Sequence, residues 1–292
     1  MKVLGLVASP RRAGNSELLV KEMLASLPAD IEKQMIRLTD LDIKQCKACY
    51  ACLPAEKKCV IKDDLDFLID RIRAADALII ASPCYFLGSH TSIKIIGDRL
   101  ISVMGDSRKF SGKKCVTVVT YGIGGWEGYA REAVNNFARF LHLDVVGDLL
   151  VNAAIPGEAL AEDIKTAAQE LAKRLIDPTG GDKSSSGRLT CGECGSSLLQ
   201  ISESGHVRCV MCGTTGQLQF VSGQFIIRYT YPEPPRFSPE GMIEHGRLLG
   251  SYKERYIAKR KELAQLCKPY NDYDWWVYPT GSCRKGLEEK GT

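Results

Sequence analysis

Four cysteines lie within fourteen residues in the segment CKACYACLPAEKKC. They are Cys46, Cys49, Cys52 and Cys59, with the spacing C-x2-C-x2-C-x6-C. Three thiolates at consecutive x2 spacing can wrap one face of an iron–sulfur cubane, and the x6 loop returns a fourth thiolate locally. Structural zinc commonly uses two paired knuckles, which this spacing fits poorly. The motif therefore favours an iron–sulfur centre over a zinc ion or a segment without metal.

A second group of four cysteines has a different pattern. Cys191, Cys194, Cys209 and Cys212 give C-x2-C-x14-C-x2-C, with a glycine after each pair. Two knuckles joined by a short β-rich spacer are typical of a zinc ribbon. A single iron of the rubredoxin kind is the alternative, although the second knuckle lacks the proline usual there. With zinc, the role is structural, because four protein thiolates leave no open coordination position for a substrate.

The segment SPRRAGNS stands where the first predicted strand turns into the first predicted helix. A helix N-terminus has unpaired N–H groups and partial positive charge, which suit a phosphate. Ser9, Asn15 and Ser16 offer donors, Arg11 adds charge, and Gly14 permits a close backbone approach. The segment matches neither the nucleoside-triphosphate loop nor the Rossmann glycine motif. It predicts either a phosphate site or a plain turn capped by Ser16.

Two further loops follow the third and fourth predicted strands. SPCYFLGS offers the aromatic pair Tyr85 and Phe86, and TYGIGGWEG offers Gly122, Gly124 and Gly125. Parallel strands end at one edge of an open α/β sheet, where ligands bind. A phosphate cradle, an aromatic wall and a bare glycine backbone together suit FMN. The alternative is three ordinary loops with both aromatic side chains in the core.

The elements that must position these residues alternate between β-rich and amphipathic helical segments. Continuous Val/Ile/Leu runs separated by helices indicate a parallel sheet covered on both faces. We therefore predict a flavodoxin-like, doubly wound, five-stranded α/β domain. Its strands are expected at 2–9, 31–38, 75–83, 113–122 and 144–152, and its helices at 16–27, 63–75, 92–104, 128–143 and 157–176.

The composition changes after this domain, in the Gly/Ser/Pro-rich segment DPTGGDKSSSGR. A long helix is predicted over 237–266 with Ser238 as its N-cap, followed by an aromatic tail that contains Trp275 and Trp276. The expected organisation is a domain at 1–176 with the cysteine insertion at 43–60, a linker at 177–188, a zinc-ribbon-like module at 189–230, and a C-terminal helix and tail at 231–292.

Overall composition excludes several classes of protein. The 292 residues are 45% hydrophobic and 25% charged with a net charge of +4, which is ordinary for a globular protein and argues against nucleic-acid binding. The basic run at 253–262 reads as a solvated helix face. No apolar stretch approaches the roughly 20 residues of a membrane helix. We expect a cytoplasmic protein whose clustered cysteines bind metal rather than form disulfides.

The ordered motifs SPRRAGNS, SPCYFLGS, IKIIGDR and TYGIGG resemble the NADPH-dependent FMN reductase and flavodoxin-like superfamily. With CKACYACLPAEKKC after the second strand, residues 1–176 resemble its iron–sulfur flavoproteins from anaerobic archaea and bacteria. The resemblance implies FMN, a 4Fe–4S cluster on the first cysteine group, and an oligomer. Cys84 stands where relatives often have an aliphatic residue, and its thiol either tunes the flavin or simply packs. The expected FMN-binding residues are Ser9, Arg11, Asn15, Ser16, Pro83, Cys84, Tyr85, Phe86, Thr120, Tyr121, Gly122, Gly124 and Gly125.

The functional hypothesis is an oxidoreductase that passes electrons between cluster and FMN to reduce a quinone, dioxygen, peroxide or redox protein. Its partner is then a protein such as ferredoxin or a small acceptor. The alternatives are a NAD(P)H-dependent FMN or quinone reductase with a vestigial cluster, and a redox-sensing regulatory protein. Electron transfer requires no catalytic acid or base. Asp63 and Asp64 are therefore read as helix N-terminal charges, and His90 as a solvated loop residue.

Overall fold

A five-stranded parallel sheet forms the centre of the protein. The computed structural model describes residues 1–53, 58–177, 189–271, 275 and 277. The strand order is β2-β1-β3-β5-β6, with every neighbouring pair parallel. This order is that of flavodoxin-like folds, so the predicted fold class is confirmed. The strands are β1 (Lys2–Val7), β2 (Glu32–Arg37), β3 (Ala77–Tyr85), β5 (Lys114–Tyr121) and β6 (Asp144–Asn152), and a short β4 (Gly88–Ser89) pairs with β3.

Helices cover both faces of this sheet, as the continuous apolar strands require. One face packs against α2, α3 and α4, and the other against α1 and α5. The helices are α1 (Asn15–Ser26), α2 (Leu65–Ala74), α3 (Thr91–Gly97), α4 (Ala130–Phe140) and α5 (Glu162–Lys173). Cys115 is fully buried within β5, as expected for a core residue.

The helix predicted at 92–104 is much shorter in the structure. It ends at Gly97, and a 3-10 segment follows over Leu100–Lys109. At the junction the Arg99 side chain is buried against the base of the cysteine insertion. The helical pattern of the sequence continues through this point, but the chain leaves the α-helix where Arg99 bonds to the cysteine insertion.

The ribbon region forms an antiparallel sheet in the order β10-β9-β8-β7. Its strands are β7 (Leu199–Ile201), β8 (His206–Cys209), β9 (Thr215–Val221) and β10 (Gln224–Thr230). The ribbon is fastened to α4 because the buried Glu132 accepts hydrogen bonds from Ser197 N (3.1 Å) and Ser197 Oγ (2.7 Å). His142 Nδ1 lies 2.8 Å from Phe237 O at the other end of α4.

The long helix α6 spans Pro239–Cys267, and Ser238 Oγ accepts a hydrogen bond from Gly241 N, so the predicted N-cap is confirmed. The chain forms two compact units, 1–247 and 248–292. In the second unit the basic run at 253–262 is almost entirely exposed. Segment 178–188 of the predicted linker and most of the aromatic tail, Trp276 included, lie outside the described residues. The predicted domain boundaries stay predictions.

The described helices include none that is both long enough and apolar enough to span a bilayer.

Candidate functional site

A pocket opens at the carboxyl edge of the sheet, where β1, β3, β5 and β6 end. It has a volume of about 170 Å³. Ten of the thirteen predicted FMN-binding residues line it, namely Ser9, Arg11, Asn15, Ser16, Pro83, Cys84, Tyr85, Thr120, Tyr121 and Gly122. Phe86, Gly124 and Gly125 are not among the lining residues; they are exposed on the two neighbouring loops. Contact of any of these residues with FMN stays a prediction.

The loop after β6 also lines the pocket, although the sequence motifs did not predict it. Ala153, Ala154 and Pro156 line the pocket. The signal was present, because the fifth strand also ends at the carboxyl edge of the sheet. These three apolar side chains offer no donor or charge for a ligand, so no motif indicates them.

Arg37 and Glu17, which belong to none of the sequence motifs, hold the loop between β1 and α1 in place. Arg37 Nη1 donates hydrogen bonds to Ser9 O (2.9 Å) and Arg11 O (3.0 Å). Arg37 Nη2 pairs with Glu17 Oε2 at 2.6 Å, and the same oxygen accepts from Ala13 N at 2.6 Å. Ala13 has a left-handed φ of 52°, which is costly for a residue with a side chain. The Arg37–Glu17 pair therefore fixes a strained loop at the pocket.

Glu17 makes the stability of this loop depend on pH. Burial alone raises the pKa of Glu17, but hydrogen bonds from Lys21, Arg37 and Ala13 outweigh it and lower the pKa to about 2 from 4.5. The stabilisation is therefore complete above pH 4.5 and is lost as the pH falls towards 2. In urea titrations we expect the free energy of unfolding to fall by up to about 3 kcal/mol more over this range than in Glu17→Gln. Equal pH slopes for the two proteins would contradict this role.

The Asn15 side chain is hydrogen-bonded to the backbone of the loop after β6. Its Nδ2 donates to Ala153 O (3.1 Å) and Ile155 O (3.0 Å), and its Oδ1 accepts from Gly157 N (2.9 Å). These bonds join the start of α1 to the loop after β6. Any donor to a phosphate from this residue is therefore its backbone N–H rather than its side chain.

Ser16 joins α1 to β5 through a 2.9 Å contact between its Oγ and Thr120 Oγ1, and both residues are buried. The N-cap of α1 is Gly14, so the prediction that Ser16 caps this helix is wrong.

The aromatic wall after β3 is not part of the core. Tyr85 is 41% exposed and Phe86 is fully exposed, which excludes the alternative that both pack inside. His90 packs edge-on against Tyr85 with ring centroids 5.6 Å apart, and its Nδ1 accepts from Ser92 N at the start of α3. His90 is thus a half-buried helix cap and not a solvated loop residue. Burial lowers the pKa of His90, which favours the neutral ring.

The Cys84 thiol lines the pocket while its sulfur donates weakly to Glu127 O at 3.3 Å. Burial, followed by the nearby Glu127 carboxylate, raises the pKa of Cys84. The residue is therefore a neutral thiol at physiological pH and not a reactive thiolate.

The four cysteines of the insertion surround a second cavity, of about 340 Å³. Cys46 and Cys49 are exposed, while Cys52 and Cys59 are half-buried. All four line this one space, together with Arg99. A cavity of this size offers far more room than a single ion needs. The donor set and the space fit a multi-iron cluster.

The cysteines of this cavity repel one another when ionised. Burial raises the pKa of Cys52, and the thiolates of Cys59, Cys49 and Cys46 raise it further. Ionisation of Cys52 is therefore disfavoured until a bound cation offsets the negative charge of its neighbours. Asp63 accepts a hydrogen bond from Leu65 N (3.2 Å) at the start of α2, as expected of a helix N-terminal charge, and it is also the buried ion-pair partner of Arg99 beneath this cavity.

The ribbon cysteines have a tighter geometry. The four side chains are buried, and their sulfur atoms lie within 4.8 Å of one another. Sγ–Sγ distances are 3.4 Å for Cys191–Cys212 and 3.6 Å for Cys194–Cys209. A tetrahedron with Zn–S bonds of about 2.3 Å has edges of about 3.8 Å. This arrangement fits a single tetrahedral metal ion and leaves no room for a cluster.

Comparison with known proteins agrees with this geometry. The model of the NADPH-dependent FMN reductase family matches residues 1–155, more than half of the chain. An iron–sulfur flavoprotein of Archaeoglobus fulgidus is 32% identical over 171 residues, which cover 58% of this chain and 76% of that protein. One of Methanocaldococcus jannaschii is 40% identical over 100 residues, 34% of this chain, and the match spans only 51% of its length.

Among solved structures, a flavone reductase superposes with a TM-score of 0.74 at 19% identity. The match covers 96% of this chain and 100% of that one, so the two share a fold that extends beyond the flavodoxin-like part.

The family match over the sheet, the cysteine insertion and the pocket leads to one conclusion: the chain belongs to the NADPH-dependent FMN reductase family, among its iron–sulfur flavoproteins, and is an FMN-dependent oxidoreductase.

Proposed function

We propose that the protein passes electrons between a 4Fe–4S cluster, bound by Cys46, Cys49, Cys52 and Cys59, and FMN in the pocket at the sheet edge, in order to reduce an acceptor. The observation that carries this proposal is the convergence of four thiols on one cavity in a chain that also has a flavodoxin-type pocket. A simple flavin reductase has no need of such a thiol set. Bound FMN would join one-electron carriers to two-electron chemistry, since flavin accepts one or two electrons.

The chain's own residues supply binding and orientation. Backbone N–H groups at the start of α1 and the Arg11 guanidinium attract the phosphate. Gly122 is exposed and lines the pocket without a side chain, so its backbone leaves room for a planar ring there. Tyr85 offers an aromatic surface at the mouth of the pocket.

No described residue lines both the pocket and the cysteine cavity. The proposed assembly is a homo-oligomer, in which the cluster passes electrons to the flavin of the same chain or of a neighbour. The proposed outside partner is a redox protein such as ferredoxin or a small acceptor such as a quinone, dioxygen or peroxide. The ribbon, with zinc, would act structurally.

A second candidate is a NAD(P)H-dependent FMN or quinone reductase in which the cluster takes no part. The description of the matched family favours it. Rapid anaerobic mixing separates the two. We expect reduced ferredoxin, a one-electron donor, to bleach the flavin at least about tenfold faster than NADPH does. Bleaching by NADPH at the same rate or faster would contradict the cluster route and support the reductase.

The pocket should depend on the Asn15 side chain. Asn15→Asp removes both Nδ2 donors and places a carboxylate against the carbonyl oxygens of Ala153 and Ile155. The unsatisfied polar groups should cost about 1–3 kcal/mol, which would weaken FMN binding by about 5- to 150-fold if the loop is needed for binding. Flavin fluorescence titration measures the change. Asn152→Asp is the matched control, because this exposed residue ends β6 nearby and receives the same charge. Equal FMN affinity of Asn15→Asp and wild type would refute the role.

A further inference from the structure

A fully buried arginine lies behind the cysteine cavity. Arg99 follows the end of α3 and is 1% exposed, as is the side chain of its ion-pair partner Asp63. Burying a charged pair is costly, and such pairs are often replaceable by apolar residues without loss of stability. Stability alone therefore does not explain why a charged residue occupies position 99.

The first contacts of Arg99 join the two ends of the cysteine loop. Its Nη1 donates to Lys44 O (3.2 Å) and to Asp63, and its Nη2 to Ile61 O (3.5 Å). Lys44 precedes the first cysteine by two residues, and Ile61 follows the fourth by two. Asp63 Oδ2 also accepts from Lys44 N at 2.9 Å. The Arg99–Asp63 pair therefore joins the two ends of the cysteine loop.

Arg99 also lies beside the four cysteines. The residue lines the four-cysteine cavity, and its Nε is buried without a hydrogen-bond partner in the described part of the chain. Arginine cannot lose its proton in a protein. A permanent positive charge, whose Nε–H has no partner among the described residues, therefore lies at the four cysteines.

We propose that Arg99 is a positioning residue for the cluster, which closes the cysteine loop and stabilises the more negative, reduced cluster by its charge. The inference rests on the proposed function, since it requires a cluster at these cysteines. The effect should be strong, because the guanidinium acts from a buried position of low dielectric constant. Lysines of the loop such as Lys47 and Lys58 are exposed and screened by solvent and salt.

The test is an anaerobic redox titration of the cluster in the full-length protein, followed by electron paramagnetic resonance. In Arg99→Gln the ratio of reduced to oxidised cluster at a fixed potential should fall at least about tenfold, which is 59 mV for one electron. Asp63→Asn removes the neutralising charge and should raise the ratio. Arg99→Lys keeps the charge but not the fork, so its ratio should stay close to wild type while protease cleavage within 43–60 increases.

Arg71→Gln is the matched control, because Arg71 lies exposed on α2 and lines none of the cavities described above. It should leave the ratio unchanged. Arg99→Gln with full sulfide and a wild-type ratio would overturn the inference. So would a shift of Asp63→Asn in the same direction as Arg99→Gln. If Arg99→Gln does not retain sulfide, the sign of the shift in Asp63→Asn decides. Wild-type protein without sulfide would refute the proposed function itself.

Discussion

Replacement of Cys49 by serine should remove the iron and sulfide of the protein and leave its FMN in place. Cys49 is one of the four thiols that line the insertion cavity, and a neutral hydroxyl is a poor replacement for a thiolate ligand of iron. The FMN pocket should be unaffected, because Cys49 does not line it. We expect acid-labile sulfide below about one tenth of wild type and at least a tenfold loss of ferredoxin-driven flavin reduction.

Cys267→Ser is the matched control for this loss. Cys267 is an exposed, isolated cysteine at the end of α6, so its replacement should change neither sulfide nor flavin content. Retention of full sulfide by Cys49→Ser would show that the cluster is bound elsewhere.

The second large effect is expected at the ribbon. Cys209 is fully buried, and its sulfur lies 3.6 Å from Cys194 Sγ. In Cys209→Ser we expect loss of the ribbon metal and unfolding of β7–β10, since metal binding can supply about 10–16 kcal/mol to such small modules. Hydrogen exchange should become fast over 189–230 while the sheet of residues 1–176 keeps its protection and its FMN.

Metal analysis of the same variant also identifies the ion. Wild type is expected to hold one zinc per chain at this site, which Cys209→Ser loses, whereas Cys267→Ser keeps it. A wild-type ribbon that holds iron would correct the assignment to a rubredoxin-like site. A ribbon in Cys209→Ser that stays folded without metal would contradict the structural role.

The sheet and most of its helices could be predicted from sequence because each depends on a local pattern. β6 occupies the predicted residues, and the carboxyl-edge rule brings Ser9, Tyr85 and Gly122 together without any knowledge of packing. Cysteine spacing likewise predicted two thiol sites. Their different sizes, a cavity of about 340 Å³ against sulfurs within 4.8 Å, appear only in three dimensions.

What the sequence could not show depends on contacts between distant residues. Arg37 and Glu17 support the first loop across 20 residues, and Arg99 holds the cysteine loop from 36 residues beyond Asp63. Neither pair belongs to a motif, since an isolated arginine reads as a surface charge. Asn15 was identified as a donor, but its bonds to residues 138–142 positions away are invisible to local patterns.

The most direct test is the composition of the protein purified without oxygen, measured as FMN, iron, acid-labile sulfide and zinc per chain. The two thiol sites and the pocket predict one FMN, about four iron, about four sulfide and one zinc. FMN with iron but without acid-labile sulfide would contradict the central claim, because no iron–sulfur centre would then exist to exchange electrons with the flavin.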